Sequence, residues 1–504
     1  MDLSFSSAKD NNQTFSVDKH FIHSPYSPVK EAERFVSLLP SDAKYDVIIL
    51  IEPGLSYTKQ FLKQKYLNAK IGIIRLIPEL SSYNSDWDFT INFENVNKLQ
   101  NQLLSLFTEE QLLCSILCDW LPSKNLFNSE SLQIWQTYKL VMEQCKTILI
   151  TRQYFEKKWI INSCNYIKYL SGKNLFDSEN VLQTKKPVLI AASGPSLSTV
   201  ISKIPLFREK CFIICLSSAI KVFLSNNIIP DLILTTDGGY YAGQHLKALI
   251  NTNNLLVAAP CEAFIQKQLL EKMNIIPCAY SDGVSNKLME QSGIKPLILE
   301  RNGTVSGTAL NLALSITNNE IYFLGLDLAG NKASQHTEPN ELEINNSIKD
   351  FRLNNKESRQ TRSRYNSGSL EIYRDWFKNQ KNLKNRVFRV IENQEELGEI
   401  ENISFNDFEK KLLLEKSVSE EKIINNANFD TVNSSKSSNI NNLITFINEY
   451  SQSDEWKKQI FPVDFISIKH AKTKEEKELL LQKLSEKNYK LIKKIGKILN
   501  GKTK

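Results

Sequence analysis

The chain has 504 residues, 41% hydrophobic, 24% charged and 10% aromatic, which excludes a disordered or fibrous polypeptide and leaves room for roughly two to four domains. Its net charge of +7 is local: residues 471–504 carry eleven Lys against four Glu, the rest is formally balanced, and no basic face for nucleic acid is expected. Residues 1–15 lack a secretory pattern, no apolar run reaches about 18 residues, and the eight cysteines form no CxxC pair. The expectation is a cytoplasmic protein with no membrane span, reduced buried thiols and no metal centre.

In chain order, "HFIHSPYSPVKEAERFVSLL" (20–39) reads as a turn and a helix. "YDVIILIEPGL" (45–55) reads as a strand and turn, "SYTKQFLKQKY" (56–66) as a helix, and "AKIGIIRLIPE" (69–79) as a strand. That order is a βαβ unit and predicts a parallel sheet. Gly54 stands alone in its turn, so the dinucleotide fingerprint is missing. Residues 96–180, including "LQNQLLSLFTEEQLLCSILCDWL" (99–121), have mostly helical spacing and read as a connector.

From 185 the strand–helix alternation returns with "KPVLIAASGPSL", "CFIICLSSAIKVFLSNN" (211–227), "PDLILTTDGGYYAGQHL" (230–246), "LLVAAP" (255–260), "KPLILE" (295–300), "TVSGTALNLALSITN" (304–318) and "EIYFLGLDLAG" (320–330). Polar residues follow strand after strand: 193–196, Ser217 and Ser218, 235–237, 304–308 and Asp327. Ligands of open α/β sheets bind beyond the carboxyl ends of strands, so this convergence predicts a site. The polar segment 331–368 reads as a binding loop or lid, 369–377 as a helix, and the Asn- and Ser-rich 424–441 as a link. The tail from about 442 reads as helical, with Leu479, Leu480, Leu484, Leu491, Ile492, Ile495, Ile498 and Leu499 on one face. The resulting domains are 1–110, an N-terminal Rossmann-like α/β domain; 111–180, a helical connector; 181–400, a central domain with a parallel sheet; and 401–504, a helical C-terminal region.

Several segments in order resemble the motility-accessory-factor glycosyltransferases, which decorate flagellin with nonulosonic acids. They are "HSPYSPVKEAER" (23–34), "GPSL" (194–197), "IIPDLILTTD" (228–237), "GTVSGTALNLAL" (303–314) and "IYFLGLDLAGNKASQH" (321–336). Together they span roughly residues 20–380. Ala192 stands where that family often has Gly, and Leu326 where it usually has Gln. The central half is also similar to bacterial sialyltransferases, and the "GPSL" turn with its Asp-bearing strand to the archaeal pterin pyrophosphokinases. The resemblance implies a Rossmann-like or GT-A-like central domain of sialyltransferase type. It implies a CMP-activated nonulosonic acid as donor, flagellin Ser or Thr as acceptor, and no obligatory metal or other cofactor. The alternatives are a pterin pyrophosphokinase-like enzyme and a non-catalytic flagellin-binding scaffold.

The donor contacts expected are Ser193, Gly194, Pro195, Ser196, Leu197, Ser217, Ser218, Thr236, Asp237, Asn302, Gly303, Ser306, Gly307 and Thr308. Gly194 can admit a phosphate or ribose close to the backbone, and the amides of Ser196 and Leu197 can open a helix toward an anion; a plain Ser N-cap fits the same residues. Ser306, Gly307 and Thr308 form a second such helix start. Asp237 can accept from sugar hydroxyls or cytidine, or bind a metal. His336 reads as a base or as a donor or acceptor contact without proton transfer, placed opposite the "SGPSL" turn, and Asp327 as the residue that fixes its loop or as a structural carboxylate. His245 reads as a packed or solvent-facing histidine.

Overall fold

A computed structural model describes residues 2–40, 45–85, 87–171, 183–252, 255–281, 283–328, 336–353, 355, 368–392, 394–414 and 436–501. The chain divides into two units: 1–154 with 457–487, and 155–456 with 488–504.

The first unit opens with an antiparallel sheet, β1 (Leu3–Ser7), β2 (Gln13–Val17) and β3 (His20–Phe21). These strands precede the first element expected from sequence; the alternation in "LSFSS" and "QTFSV" is their signal. A parallel sheet follows, built from β4 (Val47–Ile51), β5 (Lys70–Arg75), β6 (Phe89–Asn92) and β7 (Ser115–Asp119) in the order β6-β5-β4-β7. The expected βαβ unit is therefore present, with the helix Thr58–Lys65 between β4 and β5. Every residue of β4 is buried, because Ile48 and Leu50 enter one core and Val47, Ile49 and Ile51 another across the sheet. β7 lies inside the span read as a helical connector. "SILCD" is too short for periodicity to tell a strand from a helix, and its pairing with β4 decides. The long helix Asn128–Leu170 crosses the boundary between units at 154 and 155.

The second unit is organised by nine parallel strands: β8 (Val188–Ala191), β9 (Phe212–Leu216), β10 (Leu232–Leu234), β11 (Leu256–Pro260), β12 (Asn274–Tyr280), β13 (Leu297–Leu299), β14 (Ile321–Leu324), β15 (Val387–Val390) and β16 (Glu401–Ile403). Their order is β13-β12-β11-β10-β9-β8-β14-β15-β16. The chain winds outward from β8 in one direction through β13, then returns to the other side of β8 with β14. The β8/β14 boundary is thus a topological switch point, where open α/β sheets leave a crevice for ligands. Val188, Ile190, Phe212, Ile214, Leu232 and Leu234 form one buried face with Leu310 and Ala313 of the helix Val305–Ile316.

The α/β class with parallel sheets and a helical C-terminal region agrees with the sequence. The Asn- and Ser-rich link falls largely outside the described residues, and its last part belongs to the helix Lys436–Tyr450. The helix Lys474–Leu499 buries Leu484, Leu491, Ile495, Ile498 and Leu499, whereas Leu479 is exposed. All eight cysteines are free and buried. Among the described residues, no helix is long and apolar enough to cross a membrane.

Candidate functional site

The turn after β8 is held by the turn after β14. Ala192 N donates to Leu324 O at 2.8 Å, and Gly194 N donates to Gly325 O at 2.8 Å. A Cβ on Gly194 would strike Gly325 O and stand 2.7 Å from the Asp327 carboxyl; Gly325 itself has φ +70° and would strike Ala192 O. Gly194 is thus required by the protein's own packing.

Asp327 is buried and binds the same turn. Its Oδ2 accepts from Ser196 N at 2.8 Å, and its Oδ1 accepts from Ser196 Oγ. Leu197 N is taken by Gly194 O at 3.0 Å, and the helix Leu197–Val200 lasts only four residues. The amides expected to face an anion are therefore occupied, and a carboxylate stands where the anion was placed. Asp327 positions the turn; it has no hydrogen bond to His336 among the described residues.

His336 sits on this wall of the crevice, not opposite it. Its Nδ1 lies 2.9 Å from Ser193 Oγ, and Ser218 Oγ donates to Ser193 Oγ at 2.9 Å. The neighbouring Thr337 fixes the arrangement: its N donates to Ser193 O at 2.7 Å and its Oγ1 to Gly194 O at 2.5 Å. Burial lowers the His336 pKa below the ordinary histidine value, and Glu343 opposes that shift. Burial thus favours the neutral ring, the form a base requires. In the tautomer whose Nδ1–H donates to Ser193, Nε2 keeps a free lone pair; in the other, Ser193 donates to Nδ1 and Nε2 carries the proton.

His245 belongs to the same neighbourhood. Burial and the nearby His336 bring its pKa down to about 4, with Asp237 and Glu341 pulling upward. Its sequence signal was only a histidine one turn past the Asp237 loop. Glu341 opens the helix Glu341–Ser347, capped by Asn340, and pairs with Lys221 at 2.8 Å. That helix lies in the described part, 336–353, of the segment read as a binding loop or lid; 331–335, 354 and 356–367 lie outside the described residues.

Beyond β10 to β13 the edge has a second cluster, which the sequence reading missed. The Arg301 guanidinium lies over Tyr280 at 4.2 Å and Trp159 at 5.0 Å and pairs with the buried Glu262 at 2.9 Å. Asn162 donates to Gly238 O at 3.1 Å and Glu262 O at 2.9 Å, pinning the turn after Asp237. Asp237 is exposed and accepts from Gly239 N at 2.7 Å. Thr236 hydrogen-bonds Tyr280.

The expected donor contacts fare unequally. Ser193 and Ser218 share the His336 chain, Pro195 and Ser196 lie half-buried in the turn, and Asp237, Thr236, Asn302 and Gly303 reach the strand-end surface. Leu197, Ser217, Gly307 and Thr308 are buried. A Cβ on Gly307 would meet Trp376 at 3.0 Å, so this face of the helix is packed rather than open. Thr304, not Ser306, is the N-cap, accepting from Ser306 N at 3.0 Å.

Residues 157–333 match the family 6-hydroxymethylpterin diphosphokinase MptE-like. A Treponema pallidum (strain Nichols) protein, described as uncharacterized, is 27% identical over 286 residues, covering 56% of this chain and 61% of that protein. Another Treponema pallidum match, also described as uncharacterized, is 24% identical over 178 residues, 34% of this chain and 30% of that protein. The chain thus spans less than two thirds of either relative's length. The solved structure of a MAf glycosyltransferase from Magnetospirillum magneticum AMB-1 aligns with TM-score 0.46 at 13% identity, covering 99% of this chain and 90% of that one. The family match holds β8 through β14 and every site residue on them; His336 lies just past its end.

Proposed function

We propose that the second unit is a transferase moving an activated anionic group onto an acceptor hydroxyl, with His336 as base. The observation that carries this is the Ser218–Ser193–His336 chain: an imidazole, hydrogen-bonded through Nδ1, at the switch point of a parallel sheet. The motif order along residues 20–380 favours a CMP-activated nonulosonic acid as donor and flagellin Ser or Thr as acceptor. In that reaction the acceptor oxygen bonds to the anomeric carbon. The bond from that carbon to the CMP phosphate oxygen breaks, CMP leaves with the electron pair, and the acceptor proton passes to His336 Nε2. Arg301, Asp237 and Thr236 would contact the sugar, and no metal is needed for the proton step.

The match over 157–333 favours a second reading, in which a nucleoside triphosphate gives its diphosphate to a pterin hydroxymethyl group. The acceptor is again a hydroxyl, so His336 keeps its role. Purified full chain, flagellin and a CMP-nonulosonate should give flagellin heavier by one sugar residue in intact-mass analysis. A product formed only from ATP and 6-hydroxymethylpterin would establish the second reading, and no product from either pair would leave the unit a binding module.

A further inference from the structure

Behind the Ser193–Ser196 turn, on the β15 side, lies a separate cavity of about 210 Å³ lined by Asp327, Leu328, Arg374, Arg389, Gln394, Glu395 and Leu397. Arg389 is unusual there. On β15 it shares a sheet face with Val387, which is part of the apolar core, while Phe388 packs on Tyr322 on the opposite face. An arginine thus stands in a core position, with only 2% of its surface exposed.

Its polar contacts do not neutralise it. Nη1 donates to Glu395 O at 3.4 Å and Nη2 to Gln394 Oε1, whereas the buried Nε has no hydrogen-bond partner. Desolvation lowers its pKa to about 10, with Arg374 acting in the same direction and Asp327 against it. Arg374, from the helix Gly368–Lys378, brings a second guanidinium, and its Nη2 donates to Leu328 O at 3.1 Å. Among the described residues neither arginine has a carboxylate within ion-pair distance. Asp327 spends both oxygens on Ser196, and the largely exposed Glu395 pairs with Lys378 at 3.9 Å. Among the described residues the buried Arg389 guanidinium thus has no carboxylate of its own, and a buried charge is costly without a counter-ion.

We propose that this cavity is an oxyanion site that takes a phosphate group between Arg374 and Arg389. A tetrahedral oxyanion offers acceptors to donors arriving from two elements, whereas one guanidinium edge already satisfies a planar carboxylate. At roughly 30 Å³ per water the cavity holds a phosphate but falls below the roughly 300 Å³ at which sites for larger ligands begin. The phosphate comes either from solution or from a nucleotide bound at the adjoining turn. This inference does not rest on the transfer reading, because binding is measured without donor or acceptor.

The test is thermal unfolding of the full chain at fixed ionic strength, with potassium phosphate replacing potassium chloride, and separately with CMP. Phosphate should raise the Tm of the parent protein saturably, and Arg374→Gln and Arg389→Met should each abolish that rise. If the variants keep the CMP shift, the site takes free phosphate; if they lose it too, the site takes the nucleotide's phosphate. Should Arg389→Met fail to fold, the more exposed Arg374→Gln decides alone. No phosphate shift beyond the chloride control, or an undiminished shift in the variants, would overturn the proposal.

Discussion

In the first unit the crevice beyond β4 is filled by a buried carboxylate, Glu52. Its Oε2 accepts from Leu76 N at 2.6 Å and Ile77 N at 2.8 Å, and its Oε1 accepts from Arg75 Nη1 at 2.6 Å. Arg75 makes three further hydrogen bonds, two to Asn84 Oδ1 and one to Gly54 O. In the second unit the crevice beyond β8 and β14 holds hydroxyls and an imidazole, and the buried carboxylate of Asp327 is turned onto Ser196 of its own wall. Both are parallel sheets with a switch point beside their first strand. The first buries a satisfied ion pair across the ends of β4 and β5, on the side of β4 away from β7, which rigidifies the fold. The second leaves groups whose protonation can still change, which is what chemistry at a hydroxyl requires. Sheet topology supplies a crevice, and the residues after each strand decide whether it is sealed or used.

The largest expected effect separates the two directly. His336→Ala should cut transfer by about 10²–10⁴-fold while keeping the fold and CMP binding. Unchanged transfer would make His336 a structural partner of Ser193, and the second crevice would then resemble the first.

Glu52→Ala should act only on folding, leaving Arg75 buried without its partner and costing about 3–5 kcal/mol in urea unfolding. Replacing Glu52 and Arg75 together by Leu and Met should cost less than Glu52→Ala alone. If the double variant is the worse of the two, the pair is not compensating a buried charge.

His23, beneath the same sheet, gives the first unit a pH signature. Its Nε2 accepts from Leu55 N at 2.8 Å, and burial brings its pKa down from 6.5 to about 3. The folded state therefore resists protonation. Its stability contribution is complete above pH 6.5 and falls as pH drops toward 3, by at most about 1.4 kcal/mol per pH unit. Unfolding of the parent and of His23→Gln across this range should show the flatter slope in the variant, and equal slopes would place the acid sensitivity elsewhere.

The smallest effect sharpens the role of the helix Val305–Ile316. Thr304→Ala should cost about 1 kcal/mol as a lost N-cap, and Thr304→Ser nearly nothing. A loss of CMP binding in either variant would instead put the hydroxyl in the ligand's path.

The sheets were legible because their strands are continuous apolar runs followed by polar turns, as in "KPVLIAASGPSL". The short strand Ser115–Asp119 was not, since its five residues sit between helical segments and only pairing with β4 identifies them. Around the site, sequence order put Ser193, Asp327 and His336 in a common neighbourhood but not in their relations. Which amide Asp327 takes, and that His336 shares a wall with Ser193, depend on contacts between residues more than 130 positions apart. Arg389 carries no local sign at all: in "RVFRV" it reads as an edge residue, and only β16 beyond it makes its strand internal.

The most direct test of the central claim is an NMR titration of the protein's five histidines, with His336 assigned by loss of its signal in His336→Ala. The account predicts that His336 titrates below the ordinary histidine value and shifts when CMP is added while His20 and His470 do not. A His336 that titrates at or above 6.5 and is indifferent to CMP would contradict it.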